Sequence, residues 1–226
     1  MTFVPARRAL AAIALMLALT ACGGAGAPTA ASSPSATASP TGTAAAAAWT
    51  VTDGSRATVS VREQLVGVNL PSDAVLAATG GSGSFQLKDD GTFTPDSKIS
   101  FDLTTLTSDE SNRDNFIKQD TLQVRQFPKA EFVPTKVTGL TLPMPASGTF
   151  TFKLTGMMTI HGTAKEATFD VQAKRNGGEL TATATTSPKW AFGDFGMRAP
   201  SVPFRVVSVT DEIRLVVDIV ATGPKE

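Results

Sequence analysis

The 226-residue chain sets Lys+Arg 20 against Asp+Glu 20 and contains one Cys, one His and no Tyr. That inventory excludes a disulfide framework, a thiolate or His-cluster metal site, and the basic excess expected of a nucleic-acid binder. A binding or structural role remains, or an enzyme working with carboxylates alone.

In chain order, the first segment reads as a processing signal. Arg7 and Arg8 precede an unbroken apolar run, Ala9 to Leu19, that is short for a membrane-spanning helix and has the form of a secretory signal peptide. The run ends in Leu19-Thr20-Ala21-Cys22-Gly23, which resembles the bacterial lipobox, so the only Cys stands where a lipoprotein is cleaved and acylated. This divides the chain into a leader over 1–21, a tether over 22–48 and a domain over 49–226, and predicts an extracytoplasmic protein held to a bacterial membrane through acylated Cys22. Removing the leader leaves 18 basic against 20 acidic side chains, a net of −2. The 26 residues from Gly23 to Ala48 are all Gly, Ala, Pro, Ser or Thr. Such a composition cannot offset its conformational entropy, and as a flexible coil it would reach about 30 Å.

From Trp49 onward, period-two alternation predicts an all-β domain. Ala57, Val59, Val61, Glu63 and Leu65 share one parity. So do Ile99, Phe101 and Leu103; Phe150, Phe152, Leu154, Met158 and Ile160; Phe169, Val171 and Ala173; Leu180, Ala182 and Ala184; and Ile213, Leu215, Val217 and Ile219. Asp89-Asp90-Gly91, His161-Gly162, Asn176-Gly177-Gly178 and Thr210-Asp211 supply hairpin chemistry between them, and Gly80-Gly81-Ser82-Gly83 reads as a flexible turn. About eight such strands make a closed barrel or a sandwich. One segment departs from the pattern: Ser108 to Phe127 is polar with one apolar side, and Ser111 with Asp114 fits a capping box, so a short helix ending before Pro128 is expected.

The chemistry on offer is thin. His161 falls at a strand end, pointing outward, with no second His or Cys to build a metal site. Asp109, Glu110 and Asp114 could in principle form a glycosidase pair, but acids at a helix start serve first as caps. Glu63 lies on the apolar parity of its strand. Either it sits near the barrel mouth and accepts hydrogen bonds from Arg113 or a ligand headgroup, or the strand bulges there and Glu63 is solvated.

Several blocks together resemble the YceI-like family: Trp49-Thr50-Val51, Ser108 to Ile117, Phe127 to Phe132, Leu154 to Lys165, and Phe192 to Met197. Their order and spacing cover nearly all of Trp49 to Gly223. The resemblance implies a lipocalin-like antiparallel β-barrel of about eight strands whose apolar interior holds a polyisoprenoid or isoprenoid quinone, with no cofactor, no nucleic acid and no catalysis. Under it, the ligand-lining residues are Phe101, Phe116, Phe150, Phe152, Met158, Ile160, Phe169, Val171, Ala182, Ala184, Trp190, Phe192 and Phe195; Glu63 departs from the family pattern, and it and Arg113 are candidate polar contacts on the strand parity alone. From the residues alone the same side chains could pack a filled core. The alternative is therefore a structural or stress-related envelope lipoprotein acting through protein contacts, and a homodimer is left open.

Overall fold

The computed structural model describes residues 48–202 and 205–224; the leader, Cys22 and the tether up to residue 47 lie outside the described residues. Ten antiparallel strands follow one another: β1 Ala48–Val51, β2 Arg56–Leu65, β3 Ser72–Thr79, β4 Ser82–Gln86, β5 Lys98–Asp102, β6 Lys129–Thr138, β7 Ser147–Ile160, β8 Thr163–Asn176, β9 Glu179–Thr186 and β10 Val206–Thr222. Strand β1 pairs with both β4 and β10, which closes a ring of eight strands. The β2–β3 hairpin pairs with β10 from Val206 to Asp218 and reaches across to the β5–β6 connection: Ala77 and Thr107 exchange backbone hydrogen bonds of 2.8 and 3.0 Å. The gap between β10 and β5 is thus bridged by β1–β4 at one end of the barrel and by β2–β3 at the other.

The alternation read from the sequence becomes an inside and an outside. In β8 the pattern is strict from Ala167 to Arg175, with Ala167, Phe169, Val171 and Ala173 buried and Asp170, Gln172 and Lys174 exposed. In β7 the inward parity passes through Gly156. A Cβ there would stand 2.6 Å from the Phe132 ring, so this glycine makes the space into which Phe132 of β6 packs. Phe132 meets Phe169 edge-on at 5.2 Å, Phe169 meets Trp190 at 5.8 Å, and Trp190 meets Phe195 at 5.0 Å. This aromatic chain runs edge to face from β6 across β8 to the turn after β9.

Three local expectations are corrected. Thr210-Asp211 is no hairpin turn; it lies inside β10, where the register to β2 slips between Val209 and Ile213. A bulge absorbs the turn-favouring residues, and Asp211 accepts a hydrogen bond from the Phe192 N–H at 2.8 Å instead of closing a loop. In the polar insertion the expected short helix forms and ends before Pro128: α1 spans Ser111–Phe116 and continues as a π turn over Ile117–Thr121, but its cap is not the expected one. Its N-cap is Glu110, whose carboxylate accepts from the Asn112 N–H at 3.0 Å, and not Ser111. Asp114 instead accepts from the N–H and hydroxyl of Ser108 at 2.8 and 2.7 Å, tying the preceding loop to the helix. Ala48, expected in the tether, is the first residue of β1. The Asp90-Gly91, His161-Gly162 and Gly177 turns do form, with positive φ at Gly91, His161, Gly162 and Gly177.

Candidate functional site

The barrel is filled at one end and hollow at the other. At the β1 end Trp49 is buried, its ring abuts Gly223, and the buried Arg175 guanidinium lies 5.3 Å from the indole centroid. Arg175 also donates through Nε to the Gly177 carbonyl at 3.1 Å and through Nη1 to the Met144 carbonyl at 2.9 Å, which ties the plug to the backbone before β7 and after β8. At the opposite end, beneath α1 and the π turn, a cavity of about 170 Å³ lies inside the barrel.

Its wall is built from every side. Ala57, Val59 and Val61 come from β2, Leu76 and Ala78 from β3, Ile99 and Phe101 from β5, Met158 and Ile160 from β7, and Ile213, Leu215, Val217 and Ile219 from β10. Leu103, Leu106, Ile117 and Leu122 close it from the β5–β6 connection, and Phe192, Phe195 and Met197 from the 3₁₀ turn after β9. Thr121 is the one polar residue in the wall. Such a surface offers dispersion and exclusion of water, and almost nothing that orients a polar group or carries a proton. A volume near 170 Å³ resembles that of an engineered apolar cavity of about 150 Å³ that stays dry and takes up benzene, and falls short of the roughly 300–1,000 Å³ of typical ligand pockets. One ring or a short branched chain fits the cavity as it stands. A longer chain requires the cap or the wall to move.

Of the residues expected to line a ligand site, Phe101, Met158, Ile160, Phe169, Ala184, Trp190, Phe192 and Phe195 face this cavity. Phe116, Phe150, Phe152, Val171 and Ala182 do not. Phe150 pairs with Ala173 and Phe152 with Val171, while Ala182 lies between Ala173 and Ile219; these positions belong to the layers nearer the filled end. Phe116 lies on the cap, half-buried and outside the cavity wall. Wall residues not singled out from the sequence include Leu76, Ala78, Leu106, Ile117, Thr121, Leu122, Ala130, Phe132 and Met197. The first two were detectable, because buried Ala74, Leu76 and Ala78 share a parity in β3 that exposed Val75 interrupts.

At the edge of the cap, Glu63 is 8% exposed and accepts from Arg113 Nη2 at 2.8 Å. Arg113 Nη1 reaches Asp109 at 2.6 Å, so this acid braces the arginine instead of capping the helix. The pair fastens α1 to β2 beside Val61, the last β2 residue in the cavity wall. His161 differs from the outward placement expected of it. Its ring packs against Phe127 at 4.8 Å, and Nε2 is buried without a hydrogen-bond partner.

The aromatic turn after β9 is held by charge. The Lys165 ammonium, hydrogen-bonded to Asp194, and the Ala191 N–H together hold the Asp194 carboxyl below its usual range. The Thr104 hydroxyl and N–H do the same for Asp102, which caps the turn carrying Leu103. A carboxyl depressed in the folded state adds stability that is present above its unfolded pKa of about 3.9 and is lost as pH falls through the folded value. We expect Asp194→Asn to lower the urea midpoint at pH 7, and the gap from wild type to narrow as the pH drops below about 4. A gap that stays constant across that window would show that Asp194 acts other than through its charge.

Among the described residues, no group of three or more His, Cys, Asp or Glu could hold a metal ion, and no helix is long and apolar enough to cross a membrane. The model of the YceI-like domain matches residues 49–221. The chain belongs to the YceI-like family. A UPF0312 protein of Pseudomonas putida (strain W619) is 36% identical over an alignment covering 49% of this chain and 61% of that protein, so the chain matches somewhat under two thirds of its curated relative. Among solved structures, a polyisoprenoid binding domain from Saccharophagus degradans aligns with TM-score 0.57 at 9% identity, over 78% of this chain and 98% of that one. Burkholderia cenocepacia BcnA gives 0.55 at 19% identity, over 75% and 97%. The Campylobacter jejuni YceI protein gives 0.53 at 17%, over 71% and 93%. At these identities the solved structures establish a shared barrel fold for this YceI-like chain.

Proposed function

We propose that this YceI-like protein is a non-catalytic lipid-binding module, anchored through acylated Cys22 on the outer face of a bacterial membrane or in the periplasm, that holds an isoprenoid amphiphile in its barrel. The observation that carries the reading is the cavity itself: an interior void walled by aliphatic, aromatic and thioether side chains, with one hydroxyl. A branched, unsaturated hydrocarbon is the chemistry such a wall accepts, and a structural neighbour is described as a polyisoprenoid binding domain. The carboxylates nearest the cap are engaged in capping and pairing, which supports binding without catalysis. A second reading, a filled-barrel envelope lipoprotein acting through protein contacts, draws on the modest cavity volume and the plug at Trp49 and Arg175.

Ala184→Leu separates the two. The added carbons project into the void, so they fill existing space and raise stability by about 1–2 kcal/mol. A ligand that uses that space should be excluded, and retention of a short-chain isoprenoid quinone after gel filtration should fall about tenfold or more. Retention unchanged in a stabilised variant would reject the cavity as the binding site.

A further inference from the structure

We propose that the loop between β2 and β3 is a membrane-contact element that docks the capped end of the barrel onto a lipid bilayer. Val66-Gly67-Val68-Asn69-Leu70-Pro71 carries no charge, and its apolar side chains are turned out: Leu70 is 76% exposed, Val66 53% and Val68 46%. Val207, 65% exposed, extends the same patch, because the Val66 N–H donates to the Arg205 carbonyl at 3.0 Å and Val206 pairs with Leu65. The loop is braced in this form. The Val68 N–H donates to the Leu65 carbonyl, and the Gln64 side-chain amide donates to the carbonyls of Leu65 and Val68. A locally bonded tip that presents four large aliphatic side chains to water marks a contact surface.

Three features select a bilayer as the occupant. The acid nearest the tip on the β3 side, Asp73, is paired to Arg62 at 3.0 Å, while exposed Arg205 stands beside the patch, so an apolar tip is flanked by cationic charge as an anionic lipid surface favours. The loop adjoins the cap, since Glu63 in the same strand is bonded to Arg113. Docking here would bring the covered end of the cavity to the lipid surface. The chain also has the reach: β10 with its 17 residues is about 55 Å long, whereas the 26 residues from Gly23 to Ala48 can span at most about 90 Å. A domain held at Cys22 and entered at the opposite end can therefore turn this loop back to the same membrane. The inference goes beyond the ligand reading, because contact through the loop does not depend on what the cavity holds.

The test uses the full-length acylated protein in vesicles of phosphatidylcholine and phosphatidylglycerol. Leu70→Cys supplies the free thiol for an environment-sensitive fluorophore, with Asp89→Cys, exposed in the turn beyond β4, as the reference. The probe at position 70 should blue-shift, lose most of its intensity to spin-labelled lipids at a depth of about 5–10 Å, and return to water-like emission when Val66→Asp and Val68→Asp are added. The probe at position 89 should stay water-like throughout. Water-like emission at both positions overturns the proposal, and so does a blue shift at position 70 that lipid spin labels leave unquenched and dilution abolishes, which would identify a second copy of the chain as the occupant. Two fluorophores per chain would show that Cys22 is not acylated, which removes the anchor this inference rests on and overturns it, whereas quenching at position 70 with no isoprenoid bound would support the contact and fail the ligand reading alone.

Discussion

Phe195→Ala should cost about 3–5 kcal/mol, the upper range for emptying a buried aromatic site. Phe195 is 0% exposed, ends the edge-to-face chain through Trp190, Phe169 and Phe132, and forms part of the cavity wall. Its loss leaves a hole that joins a hole already present, so the surroundings have little to collapse upon. For a domain of this size the melting temperature should fall by roughly 10 °C or more. The enlarged void should also accept more ligand, and added isoprenoid quinone should therefore stabilise the variant more than wild type. Phe150→Ala, half-buried and outside the cavity wall, should cost clearly less and show no such gain. Thermal unfolding with and without quinone checks both points; equal shifts for the two variants would deny Phe195 its place in the cavity.

Arg113→Ala carries the second large effect. It removes the partner of a carboxylate that is 8% exposed, leaving Glu63 charged against the barrel wall. Breaking a fully buried pair costs about 3–5 kcal/mol; because Arg113 is 20% exposed and water reaches the guanidinium, about 2–3 kcal/mol is expected. The loss should be local as well as global, with faster amide exchange at Ile117 to Leu122, where the cap meets the cavity. Glu63→Gln keeps an acceptor for Arg113 and should cost less. Replacing both partners by Leu should recover most of the loss, because the unpaired charge is then gone. A melting temperature for Arg113→Ala within about 2 °C of wild type would show that the pair does not hold the cap.

How far the sequence foretold this molecule depends on which interactions decide each feature. Inward and outward faces follow from neighbours two residues apart, and for that reason the parity of β2, β7, β8 and β10 was readable. Turns at Gly91, His161-Gly162 and Gly177 follow from local backbone preference. Which end of the barrel is hollow does not. Phe152 and Met158 share one strand face, yet only Met158 meets the cavity, because strand register and the Trp49 plug fix the filled layers. Thr210-Asp211 reads as a turn until β2 supplies the partner that makes it a bulge. The pairing of Glu63 with Arg113 spans 50 positions in the chain; the sequence marked Glu63 as anomalous on its parity, and the fold brings the guanidinium to it.

The most direct measurement is mass spectrometry of an organic-solvent extract of the full-length protein, purified in mild detergent from a bacterium that makes isoprenoid lipids. An isoprenoid quinone or polyisoprenoid close to one equivalent per chain, depleted in Ala184→Leu, is the expected result. An extract that holds only bulk phospholipid, unchanged after incubation with quinone, would contradict a ligand-holding barrel and leave the filled-barrel reading in its place.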